Sequence, residues 1–143
     1  VVASGSKAAV DKAIEIAKGK GAKRAMLLAV SAPFHCALMQ PAADAMAEAL
    51  ASTNIVAPKV PVVANVVANA VSDPQQIRDL LVRQVTGTVR WRECVGYMAA
   101  NGCDRFVELG AGKVLTGLLK RLADGATGMS VGAPADVEAY KAS

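Results

Sequence analysis

Hydrophobic and polar positions along this chain fall into blocks that switch between strand-like runs and helix-like stripes. Val1-Val2-Ala3-Ser4 reads as a short strand closed by Gly5. Val10, Ile14 and Ala17 then recur at helical spacing over residues 7–18, with Ser6 placed as N-cap and Gly19 and Gly21 past the end. Asp11, Glu15 and the lysines form the wet side of that helix. The apolar run Ala25-Met26-Leu27-Leu28-Ala29-Val30 reads as a buried strand bounded by Pro33. Strand, helix and strand in this order fit the closing half of a ferredoxin-like β-α-β-β-α-β unit, whose opening half would lie upstream.

After His35, Pro41 suits the first turn of a helix that runs to Ala51, with Ala42, Met46, Ala49 and Leu50 on its apolar face. Val60-Pro61-Val62-Val63-Ala64-Asn65-Val66 predicts a second apolar strand. Ser72-Asp73-Pro74 opens a helix carrying Ile77, Leu80, Leu81, Gln84 and Val85 on one stripe, and Gly87 closes it. A further helix starts at Arg90-Trp91-Arg92-Glu93 and turns Val95, Met98 and Ala99 inward, before a turn at Asn101-Gly102. Arg105-Phe106-Val107-Glu108-Leu109 predicts a third strand, followed by Gly110-Ala111-Gly112-Lys113. Val114, Leu115, Leu118, Leu119 and Leu122 mark an amphipathic helix to about residue 123. A weak strand over residues 129–131 and a helix over 134–142 finish the chain. Strands alternating with helices imply a mainly parallel α/β architecture, and any boundary falls near His35, where a small unit passes into a larger one.

Composition narrows the class. At 143 residues, with 53% hydrophobic and 20% charged side chains, the chain is globular and long enough for a domain with a core. Aromatic residues are only 3%, so Ala, Val, Leu, Ile and Met must build that core, and stacking partners for nucleic acid are scarce. A net charge of +4 suits an acidic protein or an anionic cofactor tail better. No apolar run approaches the ~18 residues of a membrane span. Cys36, Cys94 and Cys103 lack metal-ligand spacing, which points to reduced thiols in a cytoplasm. The opening residues carry neither a signal peptide's charged start nor an initiating Met, and read as the interior of a longer protein.

His35 is the only histidine, and imidazole is the side chain best suited to exchange protons near neutral pH. It sits at an expected strand end just before a helix, where α/β folds place reactive groups. The plainer alternative is a structural histidine beside apolar residues. To serve as a base, His35 needs an acceptor that orients one nitrogen, a nucleophile at the other, and a dry site. A carbonyl at the end of the helix holding Gln84 could be that acceptor, since a helix leaves its last four carbonyls unpaired. The nucleophile is missing, because no Gly-x-Ser-x-Gly elbow occurs in the sequence. Cys36 reads as a small residue at a helix start. Gly110-Ala111-Gly112-Lys113 resembles an anion-binding turn but lacks the P-loop spacing, and tight helix–strand packing is its plainer reading.

Several blocks together resemble the malonyl-CoA:acyl-carrier-protein transacylase family of fatty-acid synthesis. They are Val30-Ser31-Ala32-Pro33-Phe34-His35-Cys36-Ala37-Leu38-Met39 with Pro41-Ala42-Ala43-Asp44, then Pro61-Val62-Val63-Ala64-Asn65-Val66. Ile77-Arg78-Asp79-Leu80-Leu81-Val82-Arg83-Gln84 with Val89-Arg90-Trp91 continue the likeness, and Phe106-Val107-Glu108-Leu109-Gly110 with Gly112-Lys113-Val114-Leu115-Thr116-Gly117-Leu118 complete it. The likeness covers residues 1–124 and only the family's C-terminal half; Ala111 stands where the family usually has Pro.

The resemblance implies a ferredoxin-like subdomain closing over residues 1–34, and over 35–143 the C-terminal part of an α/β-hydrolase-like parallel-sheet domain. It implies malonyl transfer from CoA to an acidic acyl carrier protein through a serine ester, without metal or other cofactor, nucleic acid or membrane. His35 would be the catalytic base, Gln84 the residue whose main-chain carbonyl orients it, and Phe34 the aromatic that narrows the acyl pocket. The serine, the malonate-binding arginine and an oxyanion donor would belong to an N-terminal half of the same enzyme, so these residues alone are expected to be inactive. Arg78, Arg83, Arg90, Arg92, Lys113, Lys120 and Arg121 offer charge for the carrier. A polyketide-synthase acyltransferase fits less well, since Ala32-Pro33-Phe34-His35 replaces its usual signature. The alternative from another class is a non-catalytic α/β docking module.

Overall fold

A computed structural model of the chain describes residues 1–142; Ser143, the last residue of the second expected domain, lies outside them. The fold is mixed α/β, mostly helical with two small sheets, and divides into two compact units at Val89 and Arg90.

In the first unit, α1 spans Lys7–Gly19, with the Ser6 hydroxyl accepting from the Ala9 N–H and Val10, Ile14 and Ala17 half-buried as the stripe predicts. A short 3-10 turn, Ala37–Met39, leads into α2, Gln40–Ala51, with Pro41 in its first turn. The face of α2 that turns inward holds Ala43 and Leu50, while the expected Ala42, Met46 and Ala49 are exposed. Alanines are too small to decide a helix's face by pattern, and the stripe rotates toward the positions that meet α3. Helix α3, Pro74–Thr86, starts as expected: Asp73 accepts from the Gln76 N–H at 2.7 Å and Pro74 takes a first-turn position.

The apolar run after Pro61 forms β1, Val62–Ala64, whose partner was not expected. Asn69–Val71, β2, returns antiparallel in register Val62↔Val71, Val63↔Ala70 and Ala64↔Asn69. Ala68 occupies the left-handed region of the turn (φ 53°), a place usually marked in sequence by Gly or Asn. Val66, Val71 and Leu80 form the buried core of this unit, with Ala64, Val67 and Ile77 against it. Residues 1–4 and 25–30 pair with no strand in the structure, which corrects the two strands expected there. Met26, Leu27, Leu28 and Val30 stay exposed, because an apolar run becomes a strand only beside a ladder partner.

The second unit is a parallel strand pair with a helical crossover. Helix α4 spans Trp91–Ala100, β3 Arg105–Leu109, α5 Val114–Leu119, β4 Thr127–Val131 and α6 Pro134–Lys141. β3 and β4 run parallel from Arg105↔Thr127 to Leu109↔Val131. Helix α5 stops before the expected end, and a tighter turn carries the chain on: Arg121 and Leu122 N–H donate to Leu118 and Leu119 carbonyls. Val95, Leu119 and Ala123 make the core, with Trp91, Met98 and Phe106 packed on it. The parallel architecture expected for the whole chain holds for this pair alone; β1 and β2 are antiparallel.

Candidate functional site

The segment before α2 bends sharply at His35. Its backbone takes the left-handed region (φ 60°), which non-glycine residues adopt rarely, though histidine more readily than most. The bend is braced on both sides. The Cys36 thiol donates to the Pro33 carbonyl at 3.1 Å, and the Met39 N–H donates to the Cys36 carbonyl at 3.0 Å.

The bend delivers the imidazole to the end of α3, where His35 Nδ1 lies 3.1 Å from the main-chain oxygen of Gln84. A carbonyl oxygen can only accept, so this bond puts the proton on Nδ1 and leaves Nε2 with its lone pair outward. The same oxygen accepts from the Gly87 N–H at 3.2 Å. The structure therefore brings His35 and Gln84 together. Phe34 adjoins His35 in sequence and is 45% exposed. His35 is itself exposed, so the dry surroundings that a base requires are not made by these residues.

Arg78 is not a mobile surface charge. Its Nη2 donates to the Thr53 carbonyl at 3.0 Å and its Nη1 is buried, which makes it a strut between α3 and the chain after α2. Arg90 is paired with Glu93 one turn on.

The turn after β3 leads into a helix start that an internal carboxylate already occupies. Gly110 and Gly112 have φ of 121° and 97°, which accounts for glycine at both. The N–H groups that α5 would offer an anion are already taken by Glu108, whose carboxylate accepts from Leu115 N (3.1 Å) and Thr116 N (2.8 Å). It also accepts from the Thr116 hydroxyl (2.7 Å), which lies 2.8 Å from the Ser130 hydroxyl. Sequence reading missed this network, since a strand residue and a threonine eight positions later match no capping pattern. Among the described residues no group of three or more His, Cys, Asp or Glu could hold a metal ion, and no helix is long and apolar enough to cross a membrane. The three cysteines form no disulfide.

No family model matches the chain. The malonyl CoA-acyl carrier protein transacylase of Salmonella typhimurium is 48% identical over 139 residues, which is 97% of this chain and 45% of that protein. Over nearly its whole length the chain matches part of the malonyl CoA-acyl carrier protein transacylases. It spans less than half the length of the relatives it matches. The acyl-carrier-protein S-malonyltransferase of Burkholderia pseudomallei superposes with a TM-score of 0.88 at 51% identity, over 95% of this chain and 44% of that one. A malonyl-transacylase solved in complex with a type II polyketide synthase acyl carrier protein gives a TM-score of 0.88 at 41% identity, over 97% of this chain and 45% of that one. The fold described above is thus that of part of a transacylase.

Glu108 supplies a test of the second unit. Hydrogen bonds from the Thr116 side chain and N–H, then from Leu115 and Ser130, hold its carboxyl below the usual carboxylate range. A carboxyl lowered on folding stabilises the fold above its unfolded pKa, and that contribution is lost as pH falls through the folded value. Glu108→Gln should lower the urea midpoint of the protein at neutral pH. The gap to wild type should close as pH drops below about 4. A gap independent of pH would show that the charge does not matter to this network.

Proposed function

We propose that the chain is the C-terminal part of a malonyl-CoA:acyl-carrier-protein transacylase and that His35 is its general base. One observation carries the proposal: the strained backbone at His35 sets Nδ1 on the Gln84 carbonyl, so that Nε2 is the proton acceptor. By the resemblance of the flanking motifs, these two residues would stand at the family's positions for the base and its orienting carbonyl. An N-terminal half of the same enzyme would supply the serine, so the 143 residues alone should not transfer malonyl groups.

In this reading the serine hydroxyl attacks the thioester carbonyl of malonyl-CoA as its proton passes to Nε2. Collapse of the tetrahedral intermediate breaks the C–S bond, and the imidazolium returns the proton to the departing CoA thiolate. The carrier's phosphopantetheine thiol then gives its proton to Nε2 and attacks the serine ester, and the proton goes back to the serine oxygen. The Gln84 carbonyl keeps the ring in one tautomer and steadies the imidazolium in both halves. No step calls on a metal or other cofactor.

Residues 1–34 would close a ferredoxin-like subdomain, with the rest belonging to the α/β-hydrolase-like domain of a cytoplasmic enzyme. The carrier would be acidic, facing a chain of net charge +4. Support for that partner comes from the relative solved with an acyl carrier protein. Phe34, beside the base, would limit room at the acyl α-carbon.

In the whole enzyme, His35→Ala should slow serine acylation ~10²–10⁴-fold while leaving malonyl-CoA affinity largely intact. An acylation rate equal to wild type in single-turnover measurements would overturn the assignment. Phe34→Ser should raise relative kcat/KM for methylmalonyl-CoA by about 10–100-fold, since one methyl in an apolar pocket is worth only ~1–3 kcal/mol. An unchanged ratio between the two substrates would remove Phe34 from the specificity role.

A further inference from the structure

The geometry points to a clamp between the Gln84 side chain and Gly87 that holds the acceptor for His35 in place, an inference that rests on His35 being the base. Gln84 and Gly87 bond to each other in both directions. The Gly87 N–H donates to the Gln84 carbonyl, and Gln84 Nε2 donates to the Gly87 carbonyl, each at 3.2 Å. The Gln84 carbonyl in this ring is the oxygen that faces His35 Nδ1. Residues 84–87 would otherwise be the fraying end of a helix. Closed on themselves, they fix the direction in which that oxygen points.

Packing anchors the far side of the clamp. A Cβ at residue 87 would come within 2.6 Å of Val66 Cγ2 and 2.8 Å of the Arg83 carbonyl oxygen, so only glycine fits without displacement. Val66 is a buried member of the core formed with Val71 and Leu80. Gly87 is therefore seated against the rigid body of the hairpin, and Gln84 is tied to Gly87.

The choice of glutamine is costly if its role is packing. Gln84 Oε1 is buried and has no hydrogen-bond partner among the described residues. Turning the amide over would set that oxygen against the Gly87 carbonyl, so the acceptor at Gly87 dictates the orientation. A hydrocarbon side chain of similar length would remove the unpaired oxygen and pack at least as well. What it could not do is donate to Gly87. Gln84 is thus a positioning residue twice over: its carbonyl touches the imidazole, and its amide holds that carbonyl still.

The test sets Gln84→Met beside His35→Ala in the whole transacylase. Gln84→Met should keep the melting temperature and the KM for malonyl-CoA, and slow serine acylation about 10–100-fold, the scale of a small misplacement of a reacting group. The 15N shifts of the His35 ring, identified by their loss in His35→Ala, should move away from a single Nδ1–H tautomer. These shifts are read from folded molecules alone and so decide the matter even if the variant folds poorly. Unchanged ring shifts with an unchanged rate would overturn the clamp while leaving His35 as base. So would a slower rate that comes with a lower melting temperature and an unaltered ring. Wild-type acylation by His35→Ala is a separate failure, that of the base itself, and the clamp would fall with it.

Discussion

A helix cannot pair its own last carbonyls, and the end of α3 hands one of them to His35. The first unit is arranged around that one hydrogen bond. The hairpin β1–β2 packs Val66 and Val71 against Leu80 and so fixes the axis of α3. Gly87 lets the helix end approach Val66 closely. The left-handed bend at His35 then brings the ring across a separation of 49 residues in sequence. Remove any of these and the imidazole has no defined orientation, although nothing chemical about it has changed.

The second unit meets the opposite problem, the unpaired N–H groups at a helix start, and settles it internally. Glu108 on β3 supplies the negative charge for α5, and Thr116 and Ser130 complete the shell. Asp136 does the same for α6, accepting from the Gly132 and Ala133 N–H groups at 3.0 and 2.9 Å. Both carboxyls are held below their usual range by these bonds. The Leu115 and Thr116 N–H groups at the start of α5 are thus spoken for from within the chain.

Helices were legible in the sequence because their signals are local: Ser6 and Asp73 as caps, Pro41 and Pro74 in first turns, and the Val10–Ile14–Ala17 stripe. The strand Arg105–Leu109 was legible to the residue. Strands were less so in general, since apolar character reports burial and pairing depends on a partner elsewhere. The run 25–30 has the character without the partner, and Asn69–Val71 has the partner without the character, with an alanine where the turn needs a positive φ. Of the site, the types and order of Phe34, His35 and Gln84 could be read by resemblance, and the helix-end carbonyl by a general rule. The Gln84–Gly87 bond, the Arg78 strut and the Glu108 network join residues whose spacing has no pattern, and only three-dimensional placement finds them.

Departures from local preference are informative when they gather in one place. Left-handed backbone at a non-glycine residue costs roughly 1–2 kcal/mol, and a buried acceptor without a donor about 1–3 kcal/mol. The first unit carries the former at His35 and the latter at Gln84, two residues joined by a hydrogen bond. Others fall elsewhere, at Ala68 in the turn of its hairpin and at the buried, unpartnered Arg78 Nη1. A glycine at the bend would remove the first cost together with the imidazole, and a hydrocarbon at residue 84 would remove the second together with the bond to Gly87. If His35 is the base proposed above, both costs serve the same end, an imidazole held in one orientation.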